Sequence, residues 1–164
     1  MKRKLVLVLG GLLALAGAAG LGLPWGGEAE IAGPAHVVDG DTLTVAGQRI
    51  RLHGVDAPES SQICERDGQP WRCGAEVTEA LRRKVAGQAV ACTPLDRDRF
   101  GRVVARCAAG GEDLGGWLVG EGFAVAYTDF SWRYVPQELR ARWEGRGLWS
   151  GRFVTPSEYR RGER

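Results

Sequence analysis

Carboxylates and arginines recur at three separated places in this chain of 164 residues. They are Val38-Asp39-Gly40-Asp41-Thr42, then Arg51-Leu52-His53-Gly54-Val55-Asp56-Ala57-Pro58-Glu59, then Asp98-Arg99-Phe100-Gly101-Arg102. A hard divalent cation requires oxygen ligands such as carboxylates. A phosphate favours arginine, whose planar guanidinium grips two oxygens at once. Neither set is informative alone, since Asp-Gly is common turn chemistry and a single strand arginine is ordinarily a solvated surface group. Together they point to metal-assisted cutting of phosphodiester bonds.

The elements around these residues read as short antiparallel strands with one buried face. His36-Val37-Val38 runs into the Asp39-Gly40-Asp41 turn, Thr42 to Val45 alternates, Ala46-Gly47 turns, and Gln48 to His53 alternates again. Asp39, Asp41 and Asp56 then fall at strand ends beside Gly or Pro, where side chains can converge while the backbone turns away. Two aspartates, a main-chain carbonyl and several waters would make a weak calcium site, suited to a calcium-rich medium. Arg51 lies mid-strand and Arg102 begins a later one.

Residues 60–74 read as a loop with a turn at Asp67-Gly68. A helix follows from Glu76 to Ala86 with Val77, Leu81 and Val85 on one face. Ala89 to Thr93 and Arg102 to Cys107 are two more strands. A helix is expected from about Asp113 to Gly120 with Leu114, Trp117 and Leu118 inward. A third begins near Pro136, buries Leu139 and Trp143, and stops at Gly145 or Gly147. The tail after Trp149 is polar and basic and is expected to pack loosely. Five short strands in a meander with helices inserted late predict an α+β fold, a small five-stranded barrel of the oligonucleotide/oligosaccharide-binding (OB) type with about three helices.

Met1-Lys2-Arg3-Lys4 followed by the apolar run Leu5 to Leu23 has the layout of an export signal; an uncleaved membrane anchor is the alternative. Either places the folded part outside the cytoplasm, periplasmic or secreted. The expected organisation is a leader at 1–23, a linker at 24–34, one domain at 35–151 and a polar tail at 152–164. Without Lys2, Arg3 and Lys4, 19 of the 22 Lys and Arg face 20 Asp and Glu, a balance of −1. That excludes a polycation that coats nucleic acid by bulk attraction. Four cysteines in an exported chain imply two disulfides. Of the three pairings, Cys64–Cys73 and Cys92–Cys107 are favoured because each joins near neighbours, the second across one hairpin-like connection. No Cys-x-x-Cys is present to support zinc.

The ordered set of segments resembles the thermonuclease, or staphylococcal-nuclease-like, family. Its pattern is an Asp-Gly-Asp-Thr turn, an Arg-Leu-x-x-(Val/Ile)-Asp-x-Pro-Glu strand exit and an Asp-x-(Tyr/Phe)-Gly-Arg stretch. Gly120-Glu121-Gly122-Phe123-Ala124 and Gly147-Leu148-Trp149 look like further landmarks, so the resemblance covers about residues 35–150. It implies a five-stranded barrel with three helices and a calcium-dependent nuclease acting on DNA and RNA. Carried over by position, Asp41, Asp56 and the carbonyl of Ala57 would hold Ca2+, and Glu59 would activate the attacking water. Arg51 and Arg102 would bind the scissile phosphate and stabilise its transition state. Ala57 replaces a threonine and Phe100 a tyrosine; Arg99 keeps a charge beside it, and Tyr127 is a candidate for stacking on a base. The chain is expected to act as a monomer on DNA and/or RNA, touching a membrane only if the leader is retained. The competing readings are a catalytically silent binding or adaptor module on the same barrel and a structural envelope protein.

Overall fold

The computed structural model describes residues 29–162. The leader at 1–23 and the first part of the expected linker lie outside the described residues. Four strands open the chain: β1 (Ile31–Val37), β2 (Thr42–Val45), β3 (Gln48–Leu52) and β4 (Val55–Asp56). A small hairpin, β5 (Cys64–Arg66) and β6 (Gln69–Trp71), precedes helix α1 (Cys73–Val85). Next come β7 (Ala89–Arg97), β8 (Val103–Ala109), β9 (Glu112–Asp113), α2 (Leu114–Gly120) and β10 (Val125–Ala126). The chain finishes with α3 (Val135–Glu144), a 3-10 turn at Gly147–Ser150 and α4 (Pro156–Arg160).

The main sheet runs β3-β2-β1-β7-β8, and a further parallel pairing of β3 with β8 closes it into a five-stranded mixed barrel. This is the expected α+β barrel. Alternation builds it: Leu43 and Val45, Ile50 and Leu52, and Val103, Ala105 and Cys107 all point inward and are buried. Helix α1 caps one side with Val77, Leu81 and Val85, and α2 adds Leu114 and Leu118. Both turns expected from Gly pairs have two residues at positive φ, Ala46 and Gly47 (48° and 76°) and Asp67 and Gly68 (53° and 72°). That twist suits a two-residue hairpin.

The expected disulfides are both present. Cys92 and Cys107 face each other across β7 and β8 inside the barrel, and Cys64–Cys73 ties the small hairpin to the start of α1. The second bridge belongs to a separate small cluster with Leu148, Trp71 and Phe153.

Four expectations need correction. Strand β1 begins at Ile31, inside the stretch read as linker, because Ile31 is buried in the core and pairs with Cys92. Helix α1 begins at Cys73 rather than Glu76. Leu139 and Trp143 of α3 are exposed, at 60% and 92%, and Glu138 and Ala141 are buried instead. The Glu138 carboxylate is what turns the helix over: it accepts from the Ala126 N–H at 3.0 Å and pairs with Arg142. Finally, residues 152–160 are not loosely packed. The Glu65 and Arg152 main chains exchange hydrogen bonds at 2.8 and 2.9 Å. The amide of buried Gln62 donates to the Val154 carbonyl at 2.9 Å, and Pro156 is buried.

Candidate active site

Two neighbouring segments deliver the carboxylates. The turn after β1 ends in Asp41, and Asp56 closes β4. Gly40 is the reason they meet: a Cβ on it would stand 2.7 Å from the Ala57 Cβ and 2.9 Å from Val77 Cγ1. Its bare backbone lets the turn lie flat against the strand exit, and the Ala57 N–H donates to Asp41 Oδ2 at 2.9 Å. The glycine between the two aspartates is therefore a packing requirement as well as a turn residue.

Arg51 stands opposite Thr42 in the β2–β3 pairing and reaches the acids along the outer wall. Its guanidinium pairs with Asp41, and its Nη2 lies 3.2 Å from Asp56 Oδ1. Asp41, Arg51 and Asp56 are nearly dehydrated, with side-chain exposures of 10%, 13% and 1%. Burial pushes the Asp41 carboxyl up to about 6, with Asp39 and Asp56 adding to the rise against the opposing pull of Arg51 and the Ala57 N–H. Negative charge here exceeds what one guanidinium offsets.

Glu59 follows three residues later and is half-exposed. Its backbone is held from below by α1: a Cβ on Gly74 would sit 1.8 Å from the Glu59 carbonyl oxygen, and the Gln62 N–H donates to that oxygen at 2.7 Å. So the start of α1, fastened by Cys64–Cys73, sets the position of the third acid.

Arg102 is held at the mouth of β8. Its Nε donates to Asp98 Oδ2 at 2.6 Å and its N–H to Asp98 Oδ1 at 3.0 Å. Burial works to raise the Asp98 carboxyl, but these bonds hold it below the usual carboxylate range. Arg102 Nη1 reaches Thr42 Oγ1 at 3.4 Å, and that hydroxyl donates to Asp41 Oδ1 at 3.2 Å. The fold thus gathers Asp41, Arg51 and Asp56 directly and joins Arg102 to them through Thr42. Of the other candidates, Arg99 lies over the exposed Phe100 ring, its guanidinium carbon 4.8 Å from the centroid. Tyr127 runs beside Gly54, to whose carbonyl its N–H donates at 3.0 Å, and its ring meets Phe130 with centroids 4.8 Å apart.

One member was not foreseen. Arg160, the last residue of α4, donates from Nη2 to Asp56 Oδ2 at 3.1 Å, and its Nη1 lies 2.9 Å from Asp56 Oδ1 and 3.1 Å from Glu59 Oε1. The signal that could have found it is Thr155-Pro156-Ser157-Glu158, a capping box with Pro at the first turn, which predicts a helix in the polar tail.

The cluster's oxygen donors suit a hard cation such as calcium. Among the described residues no three His, Cys, Asp or Glu side chains form a group that could hold a metal ion alone. An ion at Asp41 and Asp56 needs a main-chain carbonyl and solvent to complete it. Solvent reaches the cluster at Glu59 and Arg160, which are 40% and 38% exposed. A concavity of about 530 Å³ between β1 and the end of α1 contains none of these residues.

Comparison with known proteins agrees with this geometry. A family profile described as "Staphylococcal nuclease homologue" matches residues 49–151. The chain is 41% identical over 128 residues to the succinoglycan biosynthesis protein ExoI of Rhizobium meliloti (strain 1021), covering 75% of this chain and 67% of that protein. It is 36% identical over 127 residues to an uncharacterized endonuclease of Escherichia coli, covering 73% and 77%. To a probable staphylococcal-like nuclease, CAN1, of Oryza sativa subsp. japonica it is 36% identical over 128 residues, covering 76% of this chain and 36% of that one. The profile, the relatives and the barrel agree: the chain belongs to the staphylococcal nuclease homologues and is a phosphodiester-hydrolysing nuclease.

Proposed function

We propose that this is a calcium-dependent nuclease that hydrolyses phosphodiester bonds of DNA and/or RNA outside the cytoplasm. The observation that carries the reading is the ion-pair cluster in which Arg51 joins Asp41 to Asp56 and Arg160 joins Asp56 to Glu59, with Arg102 linked to Asp41 through the Thr42 hydroxyl. Asp41, Asp56 and the Ala57 carbonyl would hold the cation. When bound, calcium supplies Lewis-acid polarisation of the phosphate and a template for the nucleophile.

The protein's own groups do the remainder. Glu59, the most hydrated of the three acids, takes a proton from the attacking water at a carboxylate oxygen. Arg51 projects its fork between the two aspartates, where it can grip the non-bridging oxygens of a phosphate held beside them. Arg102 is steadied by Asp98 at Nε, which leaves the far end of its guanidinium to meet the negative charge that builds in the transition state. Water adds to phosphorus, the ester oxygen leaves, and the products are a phosphomonoester and an alcohol. Arg99 and Tyr127 are proposed contacts to the flanking nucleotide. Two disulfides fit an oxidising compartment, and the basic-apolar leader fits export to it.

Digestion of single- and double-stranded DNA and of RNA by the purified chain, in millimolar calcium with and without excess chelator, tests the reading. Cutting should stop on chelation. Undiminished cutting in chelator removes calcium from the scheme, and tight binding in calcium without cutting marks a binding module instead.

A further inference from the structure

On the reading that this site takes a divalent cation, we propose that Arg160 is a resident counter-ion of the acid cluster. A divalent ion must compete with it for Asp56, and displacing it also frees Glu59. Three observations carry this.

The first is occupancy. Both carboxylate oxygens of Asp56 already bear a guanidinium nitrogen: Oδ1 has Arg51 Nη2 at 3.2 Å and Arg160 Nη1 at 2.9 Å, and Oδ2 has Arg160 Nη2 at 3.1 Å. A calcium ligated by Asp56 needs an oxygen at about 2.3–2.6 Å. A guanidinium on that oxygen takes up one of its lone-pair directions and repels the ion as a like charge, so the two compete for it. Arg51 is not the group to yield, because it is buried on a strand and shared with Asp41. Arg160 is 38% exposed at the end of a five-residue helix.

The second is placement. Residues 152–160 are fastened at successive points, through Arg152 on Glu65, the Val154 carbonyl on Gln62, and the Thr155–Glu158 capping box. Tyr159 and Ser61 hydroxyls approach to 3.5 Å. The fold therefore aims Arg160 at the cluster from outside the barrel. It lies beyond residues 49–151, where the family resemblance of the profile ends.

The third is the bridge. Arg160 Nη1 also holds Glu59 Oε1 at 3.1 Å. One guanidinium thus covers a cation-binding acid and the proposed base together. Arrival of the cation and release of that oxygen are then coupled, so that without calcium Glu59 Oε1 stays paired with Arg160.

The test is calcium binding measured by titration calorimetry on the full chain, for the native protein, R160Q, R160K and D56N as the control that removes the ligand. R160Q should bind calcium at least about fivefold more tightly. R160K, which keeps the charge but lacks the planar fork that pairs with both Asp56 oxygens at once, should fall between R160Q and the native protein. In chelator the melting temperature of R160Q should lie below the native value, and saturating calcium should close that gap. If the native chain binds calcium and both Arg160 variants match it within twofold, or bind more weakly, the competition is refuted and the nuclease reading stands. If the native chain and R160Q both fail to bind calcium, the reading and the inference fall together. R160K retains the positive charge and keeps the comparison available should R160Q not fold.

Discussion

The two ends of the acid cluster are built differently. At the inner end Asp41, Arg51 and Asp56 stand on strands or strand turns and are almost out of water. At the outer end Glu59 and Arg160 stand on a strand exit and a short helix, each more than a third exposed. Both ends are carboxylate–guanidinium pairs, yet their physics differs. Buried charges have lost their hydration, so each is a liability without its partner. Exposed ones are screened and exchangeable, and contribute little to stability. The inner end therefore couples site to fold, whereas the outer end can change partners during a reaction cycle without unfolding anything.

Separating the two ends by mutation should sharpen that contrast. The largest effect belongs to Glu59→Ala, which should lower turnover by about 10²–10⁴-fold, the range of a lost acid–base group, with the melting temperature nearly unchanged. Near-native rates would remove Glu59 from the water-activating role. Arg51→Met should fail on both counts. It strips buried Asp41 of its ion-pair partner and leaves Asp56 to Arg160 alone, a loss of roughly 3–5 kcal/mol in denaturant unfolding, and activity should fall with it. A variant as stable as the native chain would mean that the inner pair is no more demanding than a surface pair.

Replacing Cys92 and Cys107 together by Ala should cost roughly 3 kcal/mol, the chain-entropy figure for a loop of 15 residues. Nuclease activity below the melting transition should persist, because the bridge lies inside the barrel away from the acids.

Acidity gives a smaller and more specific test. Asp41 has its carboxyl pushed up to about 6 in the fold, against 3.8 for an ordinary aspartate. The native state therefore binds its proton more tightly than the unfolded chain does. The stability from this proton is fully present below about pH 4 and is lost as pH rises through 6, at most roughly 3 kcal/mol for two units. In chelator, native stability measured relative to Asp41→Asn should decline between pH 4 and pH 7. A flat difference would place Asp41 in water rather than in the wall.

The inner end was legible in the sequence and the outer end only partly. Period-two alternation located β2 and β3, since a strand with one wet face must write its burial into every second residue, whereas the start of β1 was hidden in a stretch that reads as linker. The motif residues located Asp41, Arg51, Asp56 and Glu59, and Gly40 explains why two aspartates distant in sequence touch. Arg160 was missed because a polar tail carries no such periodicity. Its anchors are main-chain bonds to Glu65 and a carbonyl bond to Gln62, which any side chains could have accompanied. Helix α3 was read inside out for a related reason. Leu139 and Trp143 look like core residues, but a buried main-chain N–H at Ala126 needed the carboxylate of Glu138.

Calcium titration of the native chain against Asp41→Asn and Asp56→Asn tests the central claim most directly, because it asks whether acids from separate segments share one ion. The account predicts one calcium per chain in the native protein and a loss of at least tenfold in affinity in each single variant. Unchanged affinity in either variant would contradict it.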